Sequence, residues 1–223
     1  MADIVRLRDT GRIVLDMAAV IQREQAFLGE IDGAIGDGDH GINMAKGFRL
    51  AAAKLAKEDG FTLQHGFAVL GDTLLDDIGG SMGPLYGTFF TEMAESLGEA
   101  EQLDGAHFQA MLHAGVVAVV DLGGAKPGDK SLIDVLVPAE HAFAEAQSGG
   151  AGLAESLVRM RQAAAVGLES TRGMVARIGR ASRLGERSRG TLDAGAASCN
   201  MLLATLADGL LARLGATSEG TAP

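Results

Sequence analysis

The hydrophobic residues of this chain recur mostly with the spacing of an α-helix, and the alternating pattern of a β-strand is scarce. Between residues 10 and 28, for example, Ile13, Met17 and Val20 form one apolar stripe. Thr62 stands where a helix N-cap is expected, because its hydroxyl can accept a hydrogen bond from a free backbone N–H. The whole pattern predicts eight helices, over about 10–28, 42–57, 62–78, 84–97, 104–122, 131–146, 152–178 and 192–214.

These helices indicate an all-α fold with one core. No linker rich in proline and serine divides the chain, so a single domain over residues 1–223 is expected, with an ordered core of about 5–215. Hydrophobic residues make up 47% of the chain but aromatic residues only 4%, so alanine, leucine, valine and methionine must fill the core. Such a composition suits closely packed helices.

Charge, cysteine content and hydrophobic runs exclude several classes of protein. The formal net charge of −10 argues against a nucleic-acid-binding surface. The single cysteine, Cys199, excludes an intramolecular disulfide, and its apolar helical surroundings predict a buried thiol. The N-terminus has no hydrophobic segment of a signal peptide, and no apolar run reaches the roughly 20 residues that span a bilayer. A cytoplasmic protein with no nucleic-acid and no membrane partner is therefore expected.

The connections between the predicted helices alternate in character. Those after the first, third, fifth and seventh helices are rich in glycine and polar residues, at 36–41, 79–84, 123–131 and 179–191. Those after the second, fourth and sixth helices are short and undistinguished. Short connections make consecutive helices antiparallel, so every other connection lies at the same end of a bundle. The four unusual loops are therefore predicted to meet at one end.

The first of these loops suggests a metal site. Asp32, Asp37 and Asp39 lie close together among glycines, and Mg²⁺ prefers a few carboxylate oxygens, with positions left for water and phosphate. An EF-hand calcium loop is excluded, because Gly41 stands where a third ligand is required. A solvated turn rich in aspartate and glycine is the alternative. His40 either orients the start of the second helix or donates to a phosphate.

The second and third loops give weaker signs of phosphate binding. GGSMGP places backbone N–H groups and the Ser81 hydroxyl before a helix N-terminus, which attracts anions, although a tight turn has the same composition. GGAKPGDKS nearly matches a Walker loop, but Asp129 is inserted before Lys130 and no βα pattern surrounds it. A Walker loop is therefore rejected, while Lys126 or Lys130 stays available to a phosphate or an acid.

The fourth loop concentrates arginine in an acidic chain, at Arg180, Arg183, Arg187 and Arg189. Arginine forks match phosphate and carboxylate oxygens. A lid or docking surface is one interpretation, and a solvated loop is the other. Asp193 follows, where a carboxylate can cap the last helix.

Together and in this order, these loops resemble those of the nucleotide-binding L subunits of dihydroxyacetone kinases. The matching stretches cover most of the chain and are GDGDHGINMAKG (36–47), GDTLLDDIGGSMGPLYGTFF (71–90), KPGDKSLIDVLVPA (126–139) and GRASRLGERSRGTLDAGAAS (179–198).

The resemblance implies a barrel of eight antiparallel helices that binds ADP or ATP at one end. Two Mg²⁺ ions would be held by Asp32, Asp37 and Asp39 and would bridge to the phosphates. The residues that would line the nucleotide are His40, Gly41, Ile42, Asn43, Ser81, Met82, Gly124, Leu132, Arg180, Asp193 and Gly195.

The resemblance also implies a partner and a reaction, as part of glycerol metabolism. In this family a separate K subunit holds a small ketose covalently through its own histidine. The L subunit delivers the phosphoryl group and needs no covalent residue of its own. The donor is either ATP that exchanges in each turnover, or bound ADP that a protein of the phosphotransferase system recharges in place.

Two departures from the family pattern bear on the substrate. Met82 stands where a small residue, often serine, is usual, and Ala194 replaces a usual proline. Neither change removes a metal ligand, so nucleotide binding is expected to survive, while the identity of the small sugar stays open. A nucleotide-sensing regulatory or binding protein without turnover is the alternative function. A Ca²⁺-binding structural bundle is a third.

Overall fold

The computed structural model of the chain describes the backbone of residues 3–219 and the side chains of residues 3–215. The predicted domain limits, residues 1 and 223, lie outside this part. Two-residue strands β1 (Val5–Arg6) and β2 (Gln102–Leu103) pair antiparallel. The α-helices are α1 (Arg12–Arg23), α2 (Gln25–Ile35), α3 (His40–Leu55), α4 (Leu63–Asp77), α5 (Met82–Leu97), α6 (Gly105–Gly123), α7 (Ile133–Ser148), α8 (Leu153–Ser170) and α9 (Ala194–Glu219), with 3₁₀ segments at Leu7–Asp9, Thr171–Gly173 and Arg180–Ser188.

Eight of the helices in the described part form a closed ring. From α3 to α9, each helix packs against the next helix in the chain. The ring closes because α1 packs against both α9 and α3. The remaining helix, α2, packs beside the ring against α3 and α9. The predicted all-α fold is confirmed.

The caps and the core follow the predicted pattern. Thr62 Oγ1 accepts a hydrogen bond from the His65 N–H at 3.1 Å, and Asp104 Oδ1 accepts one from the His107 N–H at 2.9 Å. Phe67 and Phe90 lie with ring centroids 5.2 Å apart inside the ring. Cys199 is buried as predicted, and burial raises the pKa of its thiol. Side-chain caps therefore mark the starts of α4 and α6, as the sequence predicts.

The first predicted helix is wrong in two respects. It is divided at Glu24, whose ψ of 8° is not helical, and its second part, α2, continues to Ile35. The bend lets the backbone of α2 lie directly against the first turn of α3. A Cβ at Gly41 would come 2.1 Å from the carbonyl oxygen of Gln25. This contact is tertiary, so the apolar period of the segment does not reveal it.

The seventh predicted helix ends too late. Helix α8 stops at Ser170, and the chain is extended by Met174, where ψ is 155°. The Thr171 hydroxyl donates to the Leu168 carbonyl oxygen at 2.7 Å, and the Thr171 carbonyl oxygen accepts a hydrogen bond from Lys130 Nζ. These partners replace the helical bonds that the periodicity predicts.

By length and composition alone, α6 and α9 are apolar enough to cross a membrane, with mean hydropathies of 1.2 and 1.3. Core helices pass the same test, and the apolar window is 56% buried in α9 and 33% buried in α6. These two helices are therefore weak evidence for a membrane span.

Candidate functional site

A cavity opens at the end of the barrel where the four unusual loops come together. Its walls are the loop before α3, the start of α5, the segment before α7, the 3₁₀ segment Arg180–Ser188 and the start of α9. The lining residues predicted from the sequence are Asp32, Asp37, Asp39, His40, Asn43, Ser81, Met82, Leu132, Arg180, Asp193 and Gly195. The alternation of loops along the sequence thus corresponds to one mouth of the barrel.

Three carboxylates converge on one side of this cavity. Asp32 lies on the last turn of α2, and Asp37 and Asp39 lie in the loop before α3. One oxygen from each carboxylate lies within 4.8 Å of the other two. Gly38 permits the turn between them, because its φ of 77° favours glycine. Three oxygens at this spacing form a donor set that suits Mg²⁺ and leaves positions for phosphate.

Arg180 is the cation that faces the carboxylates. Its Nη1 forms an ion pair with Asp37 and lies 3.9 Å from Asp39 Oδ2. Of the arginines predicted to form a lid or a solvated loop, Arg183 and Arg187 are exposed. Arg189 pairs with Glu186 instead, at 3.1 Å. A guanidinium beside three acids lowers their mutual repulsion and can also bind a phosphate oxygen.

His40 is anchored at the back of the cavity. Its backbone N–H donates to Asp32 Oδ2 at 3.3 Å, and its Nε2 lies 2.9 Å from the Ser198 hydroxyl oxygen. Ser198 Oγ in turn lies 2.7 Å from the Tyr86 hydroxyl oxygen. Burial lowers the pKa of His40 to about 4, although the charge of Asp32 opposes this shift. The imidazole is therefore neutral near pH 7.

Lys130 supports the wall of the cavity from behind. Its side chain is 2% exposed, and Nζ donates hydrogen bonds to the carbonyl oxygens of Thr171 and Thr191. Burial lowers the pKa of its ammonium group, although the negative charge of Asp193 raises it in part. The lysine thus connects the end of α8 to Thr191, just before α9. The sequence left open whether Lys130 contacts a phosphate or pairs with an acid. In the structure, its hydrogen bonds are to backbone carbonyl oxygens instead.

Asp134 is a further residue that the sequence does not reveal. It is buried in the first turn of α7 and accepts hydrogen bonds from the Gly128 N–H at 2.5 Å and the Ser131 N–H at 2.8 Å. These bonds fold the GDKS segment around a carboxylate rather than around a phosphate. Helix α6 precedes the segment, so the rejection of a Walker loop agrees with the structure.

We expect Lys130→Met to lower the free energy of unfolding by about 2 kcal/mol, because two carbonyl oxygens lose their donor in a buried place. Urea unfolding followed by circular dichroism measures this. Lys126→Met is the matched control, since Lys126 is exposed. Equal stability of the two variants would contradict a supporting role for Lys130.

Comparisons with known proteins give the family of this chain. The DAK2 domain matches residues 34–208. The ADP-binding subunit DhaL of the PEP-dependent dihydroxyacetone kinase of Escherichia coli (strain K12) is 36% identical over 84% of this chain and 90% of the relative. This chain belongs to the DAK2 domain family of DhaL-type dihydroxyacetone kinase subunits. The predicted family and its class, kinase subunits, are confirmed.

Two further similar proteins are longer than this chain. The L-erythrulose 1-kinase of Mycolicibacterium smegmatis (strain ATCC 700084 / mc(2)155) is 40% identical over 83% of this chain, which covers 33% of that enzyme. The crystal structure of the dihydroxyacetone kinase from C. freundii in complex with AMP-PNP and Mg²⁺ superposes with a TM-score of 0.68 at 27% identity. It covers 89% of this chain and 33% of the other.

Three of the residues that the DAK2 resemblance assigns to the nucleotide lie outside the cavity wall. Gly41 packs against the backbone of α2, where the Gly29 nitrogen would lie 2.7 Å from an added Cβ. Ile42 is 60% exposed on α3. Gly124 ends α6 in the left-handed conformation, with a φ of 63°. Their assignment to nucleotide binding stays a prediction, and the structure shows a packing role for Gly41 and a helix-ending role for Gly124.

Asp193 caps α9 at the cavity. Its Oδ2 accepts a hydrogen bond from the Ala196 N–H at 2.8 Å. Burial nevertheless raises the pKa of Asp193 from 3.8 to about 6, against the effects of that bond and of Lys130. The folded state therefore binds this proton more tightly than the unfolded state does.

A pH dependence of stability follows from this shift. The raised pKa stabilises the fold below about pH 4, and the contribution is lost as the pH rises through 6. In metal-free buffer, we expect the unfolding free energy of the wild type, minus that of Asp193→Asn, to fall by on the order of 2 kcal/mol between pH 4 and pH 7. Urea unfolding of both proteins at each pH measures this. A difference that does not change with pH would contradict the shift.

Proposed function

We propose that this chain is the nucleotide-binding, phosphoryl-transferring subunit of a small-ketose kinase. The observation that carries the proposal is the convergence of Asp32, Asp37 and Asp39 within 4.8 Å at one side of a cavity walled by the four loops. The similar dihydroxyacetone kinase from C. freundii, which was crystallised with AMP-PNP and Mg²⁺, supports the proposal. ADP or ATP with Mg²⁺, two ions by the family resemblance, is the cofactor we propose.

The residues of the cavity would divide the work of the reaction. The three aspartates would hold Mg²⁺, which neutralises phosphate charge when bound. Arg180 would stabilise charge that develops on the transferred group, since phosphoryl transfer depends on positioning and electrostatics. The start of α5, with Ser81, would present free backbone N–H groups to a phosphate. No covalent residue of this chain is required.

The names of the relatives guide the choice of donor and acceptor. The Escherichia coli relative is PEP-dependent and ADP-binding, which favours bound ADP recharged by a phosphotransferase-system protein over exchanging ATP. The Mycolicibacterium smegmatis relative acts on L-erythrulose, so the acceptor class is small ketoses rather than dihydroxyacetone alone. A separate K-type subunit that holds the ketose is the partner we propose, and cytoplasmic glycerol metabolism is the setting.

Reconstitution tests the proposal. The purified chain is mixed with a K-type subunit of a dihydroxyacetone kinase, with dihydroxyacetone or erythrulose, and with either ATP or a phosphotransferase-system donor. The proposal predicts a phosphorylated ketose that requires this chain and Mg²⁺. Absence of product with both donors and both sugars, while Mg²⁺-dependent nucleotide binding persists, would overturn it and would favour a nucleotide-sensing protein without turnover.

A further inference from the structure

A chain of buried hydroxyl groups lies behind His40. Ser198 Oγ lies 2.9 Å from His40 Nε2 and 2.7 Å from the Tyr86 hydroxyl oxygen. The Tyr86 hydroxyl also lies 3.0 Å from the Gly195 carbonyl oxygen. Ser198 is 0% exposed and Tyr86 is 3% exposed. The three side chains belong to α3, α5 and α9, so the fold builds this connection across the barrel.

The number of hydrogen atoms on the two hydroxyl groups limits the hydrogen bonds that the His40 ring can form. A separation of 2.7 Å between two hydroxyl oxygens places a hydrogen between them, and each hydroxyl has one hydrogen to donate. If Tyr86 donates to Ser198, the Ser198 hydrogen is free to bond His40 Nε2. If Ser198 instead donates to the Gly195 carbonyl oxygen, 3.1 Å away, or to the Tyr86 hydroxyl, Nε2 donates to Ser198 Oγ. In both arrangements Nε2 is engaged, and only the first, in which Nε2 accepts from Ser198, leaves a hydrogen on Nδ1 for a phosphate oxygen.

Among residues 3–215, the hydrogen bond of the His40 ring is the one between Nε2 and Ser198, and Nδ1 forms none. His40 itself lines the cavity beside the three aspartates. With Nε2 held by Ser198, Nδ1 is the ring nitrogen that remains for a ligand of the cavity. A side chain held in one orientation before the ligand arrives loses less entropy on binding.

We infer that Ser198 and Tyr86 are positioning residues that orient His40 toward the phosphates of the bound nucleotide. The inference rests on the proposed function, because it needs the nucleotide in this cavity. If the two hydroxyls act on the site in another way, their removal should change nucleotide affinity by the same factor with and without the His40 imidazole. The two roles differ in whether the effects of the substitutions depend on the imidazole.

Calorimetric titration of Mg²⁺-ADP into a set of variants separates the two roles. Ser198→Ala and Tyr86→Phe should each weaken binding by about fivefold, the size of one lost hydrogen bond. In a His40→Ala background, neither substitution should weaken binding further. Ser156→Ala is the matched control, since Ser156 is also 0% exposed and hydrogen-bonded, at the start of α8. It should leave the affinity unchanged.

Nitrogen-15 NMR of the His40 ring gives a second readout. Tyr86→Phe keeps the shape of the side chain and serves if Ser198→Ala does not fold. With Mg²⁺-ADP bound, it should change the ring ¹⁵N shifts of His40, whereas Ser156→Ala should not. Equal losses of affinity with and without the imidazole, or unchanged His40 shifts in Tyr86→Phe, would overturn the inference alone. Wild-type protein that binds no Mg²⁺-ADP would overturn the proposed function as well.

Discussion

Asp37→Asn is expected to weaken the binding of Mg²⁺-ADP by about 100-fold, or roughly 2.7 kcal/mol. The substitution replaces a charged ligand of the carboxylate cluster with a neutral amide of the same shape. A unit charge about 4 Å away contributes about 4 kcal/mol at an effective dielectric constant of 20, and the metal is divalent, so this loss is a modest estimate. Arg180 also loses its ion-pair partner.

Calorimetric titration measures this loss, and circular dichroism checks that the helices persist. Asp208→Asn is the matched control, because Asp208 likewise pairs with an arginine, Arg161, but lies 14 residues beyond the start of α9. It should leave the affinity unchanged. If Asp37→Asn binds Mg²⁺-ADP as tightly as the wild type, Asp37 does not belong to the site.

Gly41→Ala is expected to lower the free energy of unfolding by about 3 kcal/mol, at the upper end of overpacking effects. An added Cβ would lie 2.1 Å from the Gln25 carbonyl oxygen and 2.7 Å from the Gly29 nitrogen. Both are backbone atoms, so α2 and α3 must move apart. Asp32 and Asp39 lie on the two sides of this contact, so Mg²⁺-ADP affinity should fall as well.

Gly33→Ala tests whether the effect is specific to that contact. Gly33 lies on the same helix, α2, but an added Cβ would meet Gly38 Cα at an ordinary 3.7 Å. Alanine is the better helix former by up to about 1 kcal/mol, so this variant should be as stable as the wild type or more stable. Urea unfolding compares the two variants, and similar stabilities would contradict the account of the α2–α3 contact.

The parts of the fold that the sequence predicts are those with local causes. Thr62 and Asp104 cap helix N-termini with their own side chains, and the apolar period marks the helices that follow. The bend at Glu24 and the early end of α8 accompany tertiary contacts. The bend lets α2 pack against Gly41, and the bond of Lys130 to the Thr171 carbonyl oxygen lies where α8 ends. Gln25 and Gly41 are 16 residues apart and Lys130 and Thr171 are 41 apart, and the apolar period of a helix carries no sign of either contact.

The candidate site also contains residues that the sequence predicts and residues that only the tertiary structure shows. Asp32, Asp37 and Asp39 are close in sequence, so composition alone predicts a metal site there. Tyr86 and Ser198 reach His40 from positions 46 and 158 residues away along the chain, and nothing local marks either one. Asp134 looks like an ordinary helix residue until its bonds to the backbone at Gly128 and Ser131 are seen.

Native mass spectrometry of the purified chain, incubated with ADP and Mg²⁺ and again with ADP and EDTA, tests the central claim most directly. The claim is that the carboxylates at the mouth of the barrel hold a nucleotide through Mg²⁺. The predicted result is a mass increased by one ADP together with Mg²⁺, which returns to the mass of the bare chain in EDTA. A chain that stays unliganded in excess ADP and Mg²⁺, or that binds ADP equally well in EDTA, would contradict the claim.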